Sequence, residues 1–189
     1  MLKIPSLSHP YLKSIISIIL SVLILDQITK YIAKIFLQPV QSISIIGEFF
    51  KLTYVENPGI AFGLQVNNKF FFTILSIGAV LVIFYYLFLL KDQKYLRIAF
   101  ALILGGAFGN LIDRFLYGKV VDFLDFEFIN INMPPFKFLF FQFSGYSMDR
   151  WPVFNLADIA VTLGMIIIIL NALFESKLRN TISDDSERS

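Results

Sequence analysis

The chain has 189 residues, 57% of them hydrophobic, with 22 phenylalanines, only 16% charged residues and a mean hydropathy of +0.72, too apolar for a soluble domain of this size. The net charge of +2 offers no argument for a nucleic-acid partner, and none is expected. With no cysteine and a single histidine, His9, the chain excludes disulfides, thiolate nucleophiles and Cys-ligated metals; it also argues against Ser-His-Asp catalysis and His-based zinc.

Four stretches, roughly 12–35, 70–90, 96–115 and 153–174, are long and apolar enough for a bilayer core that takes about 20 helical residues. The first begins like a signal peptide, with Lys3 and Lys13 ahead of an apolar run to Leu25. No small-residue cleavage site follows, and the helical pattern continues through "DQITKYIAKIF", so it is read as a span. It carries Asp26 and Lys30, four residues apart on one helical face, where opposite charges meet. An internal ion pair that lets a charge enter lipid cheaply is the plainer reading of these two than direct catalysis.

The segment after the first span alternates with period two at Phe49, Lys51, Thr53 and Val55, between Gly47 and the turn Asn57-Pro58-Gly59. That pattern predicts a short sheet on the membrane surface. "KDQKYLR" joins the second and third spans, while Lys3, Lys13, Lys177 and Arg179 flank the termini. The excess of positive charge at these places predicts cytoplasmic termini, and residues 36–69 and 116–152 on the outer face.

The third span, in "LGGAFGNLIDRFLYGKVVDF", combines Gly105, Gly106 and Gly109, which allow close helix approach, with Asn110, Asp113 and Arg114. Asn110 and Arg114 share a face; a structural polar network explains them as well as a catalytic one does. The following outer segment, around residues 127 to 150, is aromatic and punctuated by proline, with Trp151 at an interfacial position. A membrane-hugging loop is expected there, with direct substrate binding as the alternative. The fourth span, "VFNLADIAVTLGMIIIIL", places Asn155 and Asp158 near its outer start, Asp158 about one and a half turns inside. Beyond it the tail from Asn180 is polar and expected to be disordered.

Asp122 emerges just past the outer end of the third span, so topology alone puts it at the same membrane edge as Asp158, despite the 36 positions between them. Two carboxylates converging at low dielectric tend to share one proton, and such a pair can take a proton from water while donating another to a carbonyl oxygen. The competing reading makes each Asp a separate interfacial helix cap. Asp125 and Glu127 are equally available acids, and periodicity does not choose among them.

"DQITK", "ENPGIAF", "GNLIDR", "GKVVDF" and "FNLAD", in this order across most of the chain, closely resemble the motifs of the bacterial lipoprotein signal peptidases, also called signal peptidase II. The resemblance implies an intramembrane aspartyl endopeptidase that removes the signal peptide from diacylglyceryl-modified prolipoproteins, cutting just before the lipidated cysteine. By motif, the catalytic dyad is Asp122 and Asp158; Asn57, Asn110, Arg114 and Asn155 line the site or position substrate, and Asp26 with Lys30 belongs to a supporting polar cluster. The interval between "VVDF" and "FNLAD" is longer here than in the family's usual pattern.

The expected architecture is a membrane all-α protein, a four-transmembrane-helix bundle with a small extracytoplasmic β-sheet cradle and an outer loop. Residues 1–175 form the peptidase domain and 176–189 a polar cytoplasmic tail. A monomer in the bacterial cytoplasmic (inner) membrane is expected, in contact with lipids and prolipoprotein substrates, with no cofactor and no metal. A small transporter would more naturally spread its acids along the membrane normal and show internal repeats. A non-enzymatic scaffold would use the same polar residues only to pack helices.

Overall fold

The computed structural model describes residues 10–59, 69–89, 93–128, 131–138, 141–143 and 146–187. Expectations that fall on Lys3, His9, Lys91 and the "IAF" part of the second motif lie outside the described residues. The chain runs through α1 (Pro10–Phe36), β1 (Ser42–Ile46), β2 (Phe50–Asn57), α2 (Lys69–Leu89), α3 (Lys94–Tyr117) and β3 (Val120–Phe126). It continues through β4 (Ile131–Met133), β5 (Phe136–Phe138), β6 (Phe141–Phe143), β7 (Tyr146–Met148) and α4 (Leu156–Glu187).

By length and apolar composition, three of the described helices can cross a membrane: α1, α3 and the Leu156–Glu175 part of α4; in α2 the apolar stretch, Ser76–Leu87, is shorter. The α3 helix sits innermost, with 44% of its apolar stretch buried against 17% in α1 and in α4. Its small residues are the reason. A Cβ added at Gly106 would overlap the Ala157 carbonyl oxygen and crowd Val161, so only glycine lets the α4 backbone come this close.

The molecule is inside-out relative to a soluble protein. Large apolar side chains such as Leu20, Ile24, Ile28, Ile166, Ile169 and Leu173 are exposed, as they must be to face lipid, whereas Asp26, Lys30, Asp113, Asp122, Asp125 and Asn155 are buried. One apolar cluster, centred on Ile15, Val80, Leu87, Ala101 and Leu104, joins α1, α2 and α3. A second, formed by Ala33, Leu37, Tyr54 and Phe123, seats the sheet on the end of α1.

The predicted sheet is present and has a third strand that periodicity did not reveal. It is antiparallel with order β1-β2-β3. Between the pairs Leu52–Leu124 and Val55–Asp122, two residues of β2 oppose one of β3, a bulge directly beside Asp122. Gly118, in the left-handed conformation with φ 72°, stops α3 by donating its N–H to the Arg114 carbonyl, and the chain turns straight into β3.

Three expectations are corrected. Residues 127–150 are not a loop throughout: β4 pairs with β7 and β5 with β6, so the aromatic segment is two nested antiparallel pairs forming an arm. Its alternating aromatic and polar residues suit strand pairing. The fourth span does not begin at residue 153: Phe154 bridges to Leu124, which keeps that stretch extended, and α4 starts at Leu156 with Asp158 in its first turn. The tail from Asn180 is not disordered over its described part, because α4 continues through Glu187. Extending an existing helix avoids the cost of nucleation, so even a polar sequence can follow.

Candidate active site

Backbone pairing brings β3 and the start of α4 together. The N–H groups of Phe123 and Leu124 donate to the Phe154 carbonyl at 3.1 and 2.8 Å, and Phe154 N–H donates back to Leu124 at 3.1 Å. Asp122 therefore stands next to Asn155 despite their separation in sequence.

Asn155 is the N-cap of α4, and Asp158 is its third helical residue. The Asp158 N–H donates to Asn155 Oδ1 at 3.1 Å and the Asn155 N–H donates to Asp158 Oδ2 at 3.1 Å, a reciprocal exchange that satisfies two otherwise orphaned donors. The same Asn155 donates through Nδ2 to Asp122 Oδ1 at 2.6 Å. Asn57 Nδ2 donates to the other Asp122 oxygen at 3.1 Å, while its Oδ1 accepts from the Gly59 N–H in the turn after β2. Asn110 Nδ2 donates to Asp158 Oδ1 at 2.8 Å. Two carboxylates thus meet around one shared asparagine, flanked by two others.

Asp122 lies beyond the end of α3, outside the apolar spans, yet is only 2% exposed. Burial, reinforced by the like charge of Asp158, pushes its pKa up to about 7; the Asn57 and Asn155 hydrogen bonds oppose the rise without cancelling it. A proton can therefore reside on this pair near neutral pH.

Behind the pair, Lys30 Nζ is held by Asp26 at 2.8 Å, Asp113 at 3.1 Å and Asn110 Oδ1 at 2.8 Å, which uses all three of its protons. Asp26 also accepts from the Ala157 N–H at 3.0 Å, in the first turn of α4 where a negative charge is favoured. The ion pair expected within α1 is therefore a brace that fixes Asn110 from one side and the α4 N-terminus from the other. Asp113 is occupied by Lys30, by Gln27 Nε2 at 3.2 Å and by the Val121 N–H at 3.2 Å. Asp125, three residues from Asp122 on an alternating strand, faces elsewhere and binds Arg150 Nε at 2.7 Å and Thr53 Oγ1 at 2.6 Å. Glu127 accepts from the same Arg150 at 2.9 Å. Asp125 and Glu127 thus share a cation, as Asp26 and Asp113 do, whereas Asp122 and Asp158 share an asparagine and form no ion pair among the described residues.

Arg114 donates through Nη1 to Ser76 Oγ on α2 at 3.3 Å, and Asp158, Asp122 and Asp113 all act on it electrostatically. Its Nε is buried without a hydrogen-bond partner among the described residues. Two participants escaped the sequence reading. Gln27 ties Asp26, the Gly109 carbonyl and Asp113 together, each at 3.2 Å, and the signal available was a third polar side chain beside Asp26 in an apolar helix. Ser76 is one of the few hydroxyls in α2 and gave no pattern to read.

The family model for signal peptidase (SPase) II matches residues 18–174. The chain belongs to the signal peptidase II family. Relatives of that family include the lipoprotein signal peptidase of Moorella thermoacetica, 43% identical over 79% of this chain and 85% of its own length. The lipoprotein signal peptidase of Pelodictyon phaeoclathratiforme is 40% identical over 88% and 95%. Among solved structures, a bacterial membrane enzyme determined by the in meso method at 2.3 Å resolution superposes with a TM-score of 0.67 at 31% identity, covering 88% of this chain and 91% of that one. A second such structure, at 1.9 Å resolution, gives the same TM-score at 32% identity. Membership in signal peptidase II makes the chain a membrane-embedded aspartic-type peptidase.

Proposed function

We propose that this chain is a lipoprotein signal peptidase in which Asp122 and Asp158 form the catalytic dyad, cutting diacylglyceryl-modified prolipoproteins just before the lipidated cysteine. The observation that carries the reading is that Asn155 holds both carboxylates, its backbone N–H donating to Asp158 and its side-chain amide to Asp122, while neither acid forms an ion pair among the described residues, unlike Asp26 and Asp113 on Lys30 or Asp125 and Glu127 on Arg150. Asp122, whose pKa burial raises to about 7, holds the proton that is given to the scissile carbonyl oxygen. Asp158 takes a proton from the attacking water. The tetrahedral intermediate then collapses with return of a proton to the leaving amine, which needs neither imidazole nor metal.

The substrate brings its own apolar helix to the membrane, and the peptide around the cut must be unwound, exposing carbonyls that need donors. Arg114 Nε, buried without a hydrogen-bond partner among the described residues, suits that task, and Asn57, which donates to Asp122, is a second candidate. Asn155 and Asn110, both engaged with the dyad, position the acids. Asp26 and Lys30 support them from behind.

In this reading α2 crosses the membrane with the other three helices, the β1-β2-β3 sheet forms a cradle on the extracytoplasmic face, and both termini are cytoplasmic. Residues 1–175 are the peptidase unit of a monomer in the bacterial inner membrane, and 176–189 are a cytoplasmic extension of α4. The deciding experiment incubates the purified protein with a diacylated prolipoprotein. Wild type should release the signal peptide, and Asp122→Asn and Asp158→Asn should each lower kcat/KM by roughly 10²–10⁴-fold. Processing by either variant at the wild-type rate removes that residue from the dyad. Arg114→Ala should impair turnover as well; full activity would take Arg114 out of the site.

A further inference from the structure

A cavity of about 380 Å³ opens beneath the sheet, between β2 and the ends of α1 and α3, and Asp122, Asp158 and Asn155 are not in its lining. Its floor includes Lys30 and Asp113, where Lys30 is fully engaged by Asp113 and by Asp26. Its mouth is different. There Lys119 is paired with Glu56 at 2.9 Å, while Lys34 forms no ion pair among the described residues and lies 4.8 Å from the centre of the Tyr117 ring. Glu56 is held below the usual carboxylate range by the hydrogen bond from Lys119 and then that from Tyr54, so it is ionised and answers Lys119, with Lys34 acting on it only from a distance. Lys34 is the lining cation left without an ion pair among the described residues, a position that one monovalent anion would satisfy.

The surroundings say what carries that anion. Tyr31 and Tyr117 flank the opening and are 67% and 62% exposed, amphipathic rings at the depth where apolar helix gives way to the polar sheet. Directly along α1 from Tyr31, helical spacing puts Ile24 and Ile28 on the same face, 53% and 49% exposed. A free anion would have no use for this apolar stripe. A lipid would use both parts at once, its phosphate at the lysines and its acyl chains along α1.

We propose that this cavity binds the headgroup of an anionic phospholipid carrying one phosphodiester, with the phosphate between Lys34 and Lys119 and the chains laid along Ile24 and Ile28. Lys34 approaches from the last turn of α1, and Lys119 divides its protons between the phosphate and Glu56. A zwitterionic lipid would bring no net charge to offset Lys34. Neither Asp122 nor Asp158 lines this cavity, and its test reads binding and not turnover.

The test is native mass spectrometry of the full purified chain, exchanged into phosphatidylglycerol or phosphatidylcholine. Wild type should hold one phosphatidylglycerol in preference to phosphatidylcholine. Lys34→Gln and Lys119→Gln should each weaken retention about fivefold, as expected for a lysine at a membrane surface. Lys51→Gln, on the sheet outside this cavity, should leave it unchanged, and Tyr31→Ala should weaken it through the opening. Thermal melting of each variant establishes that it is folded. Equal retention of phosphatidylcholine, or equal loss in Lys51→Gln, overturns the proposal. So does displacement of the lipid by inorganic phosphate at equal concentration, which would make this a site for a free anion.

Discussion

A single carboxyl group sets the pH behaviour expected of this molecule. The unfolded chain titrates Asp122 near 3.8, the folded protein near 7, so the fold holds that proton more tightly. Stability contributed by the protonated form is complete below the unfolded value and is lost as pH climbs through about 7. Melting temperatures should therefore fall between pH 5 and 8 in wild type, and less steeply in Asp122→Asn, which has no proton to lose. Parallel slopes in the two proteins would refute the raised pKa. Activity should fall on the alkaline side with an apparent pKa near 7, and a flat profile from pH 4 to 9 would remove the shared proton from the mechanism. Asn155 is the other decisive residue. Asn155→Ala deletes an N-cap, costing about 1 kcal/mol, and unties both acids, so kcat should drop far more than stability. Urea or thermal unfolding beside turnover measures the two separately; loss of both in proportion would leave it a cap only.

At the scale of elements, the glycine contact between α3 and α4 decides how closely these two helices approach. Gly106→Val should force the Ala157 backbone away and destabilise the protein by roughly 1–3 kcal/mol, the usual cost of overpacking. Unchanged melting would mean the helices tolerate more separation than their packing indicates. The arm β4–β7 is fastened at its base by Arg150, which binds Asp125, Glu127 and the Glu48 carbonyl. Exposed ion pairs contribute little singly, yet this guanidinium satisfies three partners at once, linking the β1–β2 turn to the arm.

For the whole molecule, the number of crossings is open to a direct test, because a chain without cysteine accepts single labels cleanly. Glu48 follows α1 and Gln93 follows α2, and both are exposed. Glu48→Cys and Gln93→Cys should react with a membrane-impermeant maleimide from opposite sides if α2 crosses. Labelling from the same side would leave three crossings.

Sequence alone determined the class of this protein, because hydropathy is additive: runs of about 20 apolar residues read as helices whatever their neighbours. It also carried the family, through five short motifs in order, and the period-two pattern of the β1–β2 hairpin. Tertiary structure decided what pairs with what. Asp113, Asp122 and Asp125 are alike as letters, and only the pairing of β3 with Phe154 and the reach of Lys30 and Arg150 separates them. Asp158 could be read as a cap or as one of two converging acids; in the fold it is a cap residue that also faces Asp122 through Asn155. Electrostatic interaction depends on distance and burial, and neither is a property of position along a chain.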